Sequence, residues 1–149
     1  MVNDSPAIGY LVKNVQSLLR LRMEEALKPL ELTVSHYSCL FRLQLEPGIS
    51  AAELARATFV TRQSMNEMLQ TLLDRGLVER AAVASTGRAL PVTLTVAGST
   101  ALAHSQAAVD AIESRMLSGL TPAETSALAH ALASCAAALE GLSADAASE

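Results

Sequence analysis

Apolar residues recur along the chain at two different periods, and the change of period divides it into helices and one short hairpin. Leu11, Val15, Leu18, Leu19, Leu21, Met23 and Leu27 follow helical spacing behind Ser5-Pro6, a capping residue with proline at the first helical position. Lys28-Pro29 stops that run. Thr33 caps a second helix that continues to Leu45, with Tyr37, Leu40, Phe41 and Leu43 as its apolar side, and Pro47-Gly48 ends it in a turn. Ser50-Ala51-Ala52-Glu53 is a capping box and opens a short third helix through Ala57. Thr61 caps a fourth helix with the apolar stripe Met65, Met68, Leu69, Leu72 and Leu73, closed by Gly76 in a left-handed conformation.

The period then shortens to two. Leu77-Val78-Glu79-Arg80 and the alternating Val92-Thr93-Leu94-Thr95-Val96 read as strands, with Ser85-Thr86-Gly87 as the hairpin tip. Two helices joined by a short turn and followed by a hairpin describe a winged helix-turn-helix. A fifth helix is expected from about Val96 to Leu117, and Thr121-Pro122-Ala123-Glu124 opens a sixth to about Leu142. The expected architecture is mainly α, with a small β-hairpin wing. Residues 33–95 form the winged region, and residues 1–32 and 96–149 form helices for dimerisation. The last helix is rich in alanine, which buries little area per residue but lets helices approach closely, so the terminal helices are expected to interlock with those of a second copy in a homodimer.

Composition narrows the field. A length of 149 residues suits one compact unit. Half the residues are hydrophobic but only 3% are aromatic, so the core must be built from Ala, Leu, Val and Met, and a disordered chain is excluded. The net charge is −4, yet between Ser50 and Thr95 it is +1, carried by Arg56, Arg62, Arg75, Arg80 and Arg88. An arginine-bearing middle between acidic ends hints at an anionic partner for the middle. No apolar run reaches the ~18–20 residues of a membrane span, and Met-Val-Asn-Asp-Ser-Pro lacks the features of a secretory signal, so a cytoplasmic location without membrane attachment is expected. Cys39 and Cys135 are too far apart in sequence to suggest a disulfide framework or a thiolate zinc site, and both read as buried small hydrophobes.

Several of these elements occur in one order. The run Ser50 to Ala55, then Val60-Thr61-Arg62-Gln63-Ser64-Met65, Leu72, Gly76-Leu77-Val78-Glu79-Arg80, Gly87-Arg88 and Leu94-Thr95 resembles the MarR family of bacterial transcriptional regulators, and Leu32-Thr33 before Tyr37 is similar to the family's entry into its second helix. The resemblance extends over nearly the whole chain. It implies that the fourth helix reads a pseudo-palindromic double-stranded operator. Thr61, Arg62, Gln63, Ser64, Asn66 and Glu67 would lie on the exposed edge: Gln and Asn suit adenine, Arg suits guanine, and Ser and Thr suit bases or phosphates. Ser50, Arg56, Arg75 and Arg80 are candidates for positioning phosphates. Arg88, beside Gly87 at the wing tip, would reach a minor groove or a phosphate. The usual family wing carries an Asp two positions earlier, where this chain has Thr86.

The resemblance also implies a small aromatic acid of the salicylate type as effector. Tyr10, Lys13, Ser17 and Arg20 on the first helix, with His36 and Tyr37 on the second, could line its cleft as an aromatic wall beside a cation. A thiol-based redox sensor is a rival reading, although family members of that kind place the reactive cysteine on the first helix and here Cys39 lies on the second. A winged-helix module that binds only protein is another, and it would explain the acidic ends. Neither a cofactor nor an enzyme is expected: His36, His104 and His130 fall on separate segments, with no HxxxH, GxSxG or glycine-rich phosphate loop.

Overall fold

Local capping sets most helix boundaries in the computed structural model, which describes residues 7–81 and 91–146, with side chains to 142. Helix α1 spans Ile8–Leu27; the Ser5-Pro6 cap lies outside the described residues. Pro29 does not break the chain at once, because proline is tolerated in a first turn. A 3-10 turn, Lys28–Leu30, carries the helix on until Glu31 reverses it at φ 56. Helix α2, Val34–Leu45, is capped as expected by Thr33, whose Oγ1 accepts from the backbone N–H of His36 at 3.1 Å. The return half of this box comes from a histidine: the Thr33 N–H donates to His36 Nδ1 at 3.2 Å. Ser50 caps α3, Ala51–Ala57, and Thr61 caps α4, Arg62–Asp74.

Gly76 ends α4 at φ 70, where its N–H and that of Leu77 donate to the carbonyls of Leu73 and Leu72, both at 3.0 Å. The turn delivers the chain into strand β1, Val78–Arg80. It pairs antiparallel with β2, Val92–Leu94, in the register Val78 with Leu94 and Arg80 with Val92. The expected hairpin tip, with Thr86, Gly87 and Arg88, falls outside the described residues. The second strand is shorter than its alternation suggested. Thr95 keeps one backbone bond across the hairpin while its side chain caps α5, Val96–Leu117, accepting from the Gly98 N–H at 3.0 Å and donating from its hydroxyl to the Gly76 carbonyl at 2.6 Å.

The chain divides into two units, residues 1–112 and 113–149, with the division inside α5. In the first, Leu27, Leu40, Leu54, Met65, Leu72 and Leu102 are fully buried side chains that join the helices to the hairpin base at Val78 and Val92. Phe41 departs from the expectation. It stacks on Tyr37 with centroids 6.0 Å apart but stays 36% exposed, since it falls beyond the arc of α2 occupied by Tyr37, Leu40, Leu43 and Cys39. Met68 and Leu73 are half-buried for a similar reason, flanking the stripe of Met65, Leu69 and Leu72. In the second unit α6, Pro122–Ala146, starts on a capping box made by Thr121 and Glu124. Its described side chains are largely exposed in the single chain. Cys135 is among them, so it is not the buried hydrophobe the sequence suggested.

Candidate nucleic-acid interface

The helix-turn-helix is built by burying one edge of each helix and leaving the other polar. In α3, Leu54 and Ala55 are buried; in α4, Met65, Leu69 and Leu72 recur every three or four residues and pin that helix to the core. The opposite edge is thereby turned outward. Thr61, Arg62, Gln63, Ser64, Asn66 and Glu67 are all exposed, so the structure brings together all six residues expected there. Thr61 Oγ1 accepts from the Ser64 N–H at 3.1 Å and fixes the first turn. Gln63 Nε2 approaches Glu67 Oε1 at 3.5 Å, the outer limit of a hydrogen bond, which leaves the amide little constrained.

Beside this edge runs a groove of about 790 Å³ between the start of α3, the flank of α4 and the base of the hairpin. Ser50, Arg62, Asn66, Gln70 and Arg80 contribute its polar lining, with Ile49, Leu54 and Leu69 at its apolar floor. Arg62, Asn66 and Gln70 are four residues apart and so share one stripe of α4. Ser50 is already engaged: its Oγ lies 3.2 Å from the Glu53 N–H, from which it accepts, and donates to Glu53 Oε2 at 2.9 Å. The Ser50 backbone N–H also donates to Glu53 Oε2, at 3.1 Å, and this bond first, then the Ser50 hydroxyl, together with nearby Arg56, hold the Glu53 carboxyl below the usual carboxylate range. Arg75 is committed elsewhere, donating from Nη1 to the Glu31 carbonyl at 2.6 Å. That bond ties the reversal after α1 to the end of α4.

The six residues expected around an effector are placed differently. Tyr10, Lys13, Ser17 and Arg20 are exposed on α1, and Arg20 Nε lies 3.1 Å from Glu24 Oε1. Tyr37 is buried, and its hydroxyl donates to Gln106 Oε1 at 2.7 Å, joining α2 to α5. His36 is half-buried; burial first and Arg75 second push its pKa below the ordinary histidine value. None of the six lines the groove at α4 or a shallower one formed by Leu94, Thr95, Val96, Ser99, Thr100, Ala103 and His104.

Cys39 is completely buried, and desolvation pushes its thiol up to about 12. A thiol of that kind is a poor nucleophile, which weighs against the redox reading. Among the described residues no three His, Cys, Asp or Glu gather as a metal site, and no described helix is long and apolar enough to cross a membrane. Sequence reasoning missed three residues near the interface. Gln70 extends the polar stripe by a further turn, Thr95 fastens α5 to the end of α4, and Phe59 stands in the turn between α3 and α4 at 92% exposure. The four-residue spacing from Asn66 was the available signal for Gln70.

Comparison with known proteins agrees with this geometry. The MarR family model matches residues 30–89. The HTH-type transcriptional repressor Rv2887 of Mycobacterium tuberculosis is 44% identical over 121 residues, which cover 81% of this chain and 86% of the relative. A crystal structure of the M. tuberculosis MarR family protein Rv2887 in complex with salicylic acid matches with a TM-score of 0.74 at 40% identity, over 91% of this chain and 99% of that one. The same protein in complex with DNA matches with a TM-score of 0.74 at 35% identity, over 88% and 98%. With this identity sustained across most of a repressor's length, and with a helix-turn-helix and hairpin base in the same order, the chain belongs to the MarR family of transcriptional regulators.

Proposed function

We propose that this chain is a homodimeric, DNA-binding transcriptional repressor whose hold on a pseudo-palindromic operator is relieved by a small aromatic acid of the salicylate type. The observation that carries the reading is the outward polar edge of α4, Thr61 to Glu67, fixed by the Thr61 cap and by burial of Met65 and Leu69. In a dimer two such helices enter successive major-groove faces ~34–36 Å apart. Thr61, Arg62, Gln63, Ser64, Asn66 and Glu67 are assigned to bases and nearby phosphates, Ser50 to the flank, and Arg88, outside the described residues, to the adjoining minor groove or backbone. Similarity to a repressor solved with DNA and with salicylic acid supports both halves of the proposal.

Dimerisation is assigned to residues 1–32 and 96–149, and DNA binding to residues 33–95. Ile8, Leu11, Val12, Val15, Leu18 and Leu21 on α1 are exposed in the single chain, as are Leu128, Leu132, Leu139 and Leu142 on α6. Apolar faces of this extent need a partner, and a second copy supplies one. The regulator acts in the cytoplasm and carries out no chemical step. An effector works only through its different affinity for the DNA-competent and incompetent dimers.

For the effector we place Tyr10, Lys13, Ser17, Arg20, His36 and Tyr37 around a cleft completed in the dimer. One observation favours a second seat. Arg62 and Arg80 line the same groove against α4, and a carboxylate held there would occupy the reading edge directly. The two seats separate in one experiment: duplexes selected from a random pool are titrated with and without salicylate for wild type, Lys13→Ala and Arg80→Ala. Loss of the salicylate response in Lys13→Ala alone supports the cleft; loss in Arg80→Ala alone supports the groove. Absence of any selected duplex, or binding that stays flat as salt rises, overturns the repressor reading in favour of a protein-binding module.

A further inference from the structure

The reversal between α3 and α4 has the bonding of a Schellman turn. The N–H of Phe59 donates to the Arg56 carbonyl at 3.3 Å, the N–H of Val60 donates to the Ala55 carbonyl at 3.1 Å, and Phe59 sits between them at φ 57. This position favours glycine, because a Cβ there crowds the neighbouring carbonyl. The chain follows that preference at the end of α4, where Gly76 makes the equivalent bonds. Glu31 also adopts a left-handed conformation, but its side chain is charged and its carbonyl is held by Arg75. Phe59 combines the strained conformation with an aromatic ring standing 92% in solvent, so burial within the single chain offsets neither the backbone strain nor the exposed apolar area. The backbone that carries the ring is nonetheless fixed on both sides. Val60 packs against the core on its C-terminal side and Thr61 caps α4 one residue later.

We propose that Phe59 is a specificity-determining residue of the DNA interface, its ring meeting the 5-methyl group of a thymine beside the bases faced by the first turn of α4. The inference rests on the operator-binding reading above. A phenyl ring has no hydrogen-bond donor for a phosphate, whereas the thymine methyl is the apolar feature of the major-groove edge. Docking would bury the ring that the free protein leaves in water.

The test uses duplexes that the wild-type chain selects from a random pool, resynthesised with deoxyuridine at each thymine in turn, which removes only the methyl group. Wild type is expected to lose about fourfold in affinity at one thymine of each half-site, as for one methyl buried. Phe59→Ala is expected to bind the unmodified duplex more weakly and to show no loss at that thymine, while Phe59→Leu keeps part of the discrimination. Because the ring is exposed, the thermal transition of either variant should not fall, and this is checked alongside. A uracil profile of Phe59→Ala identical to that of wild type overturns the proposal, as does a wild type indifferent to every thymine or selected half-sites without a constant thymine. Failure of the wild type to select any duplex is a separate result, seen before a variant is made, and it overturns the operator reading itself.

Discussion

A side chain on Gly98 would run into the backbone carbonyl of Leu77, so the first turn of α5 lies directly on the chain leaving α4. Thr95 closes the same junction, donating from its N–H to the Leu77 carbonyl at 3.2 Å and from its hydroxyl to the Gly76 carbonyl at 2.6 Å. Replacing Gly98 by Ala should therefore destabilise the fold by about 1–3 kcal/mol, the usual penalty for forcing an extra methyl into packed structure. Urea denaturation checks this; a midpoint equal to wild type would mean that the backbones are not in contact.

Phe59 allows the opposite change. Glycine there relieves the left-handed strain, and since the ring is exposed little packing is lost. Phe59→Gly is expected to gain about 1 kcal/mol in the same denaturation measurement. A lower midpoint would show that the ring is packed in the free protein.

The fold was legible wherever boundaries are set locally. Thr33, Ser50, Thr61 and Gly76 act as the caps their positions suggest, and the helical stripe of Met65, Leu69 and Leu72 identified which edge of α4 faces out. Signals that depend on distant partners were not legible. Thr95 reads as a strand residue by alternation, and only the approach of Gly76 makes it a staple. His36 completes a box usually closed by Glu or Gln, and Phe59 occupies a place where glycine is the ordinary marker. Phe41 and Cys135 lie on helices with more apolar residues than the single chain can cover, so composition alone could not sort inside from outside.

His36 gives stability a pH dependence of known sign. Its Nδ1 accepts a hydrogen bond and so must be unprotonated, and burial together with Arg75 lowers its pKa from 6.5. The unfolded chain takes up the proton first. This contribution to stability is complete above about pH 6.5 and is lost as pH falls from there through the lowered value. His36→Gln, which keeps an acceptor that does not titrate, should flatten the stability profile in that window. Profiles of equal slope would exclude His36 as the source.

Cys39 should be inert. In a Cys135→Ser variant the native protein is expected to take up no thiol label at pH 8 until denaturant is added, because the remaining thiol is buried with its pKa near 12. Rapid labelling of the native variant would revive the redox reading.

In the proposed repressor the outward edge of α4 reads bases while Arg88 supplies affinity. This central claim is tested most directly by measuring, on duplexes chosen by the wild type, the position-by-position preference of Gln63→Ala beside that of Arg88→Ala. Gln63→Ala should relax preference at particular positions by roughly 1–3 kcal/mol each, whereas Arg88→Ala should weaken cognate and scrambled duplexes alike. A Gln63→Ala profile indistinguishable from wild type would contradict the claim.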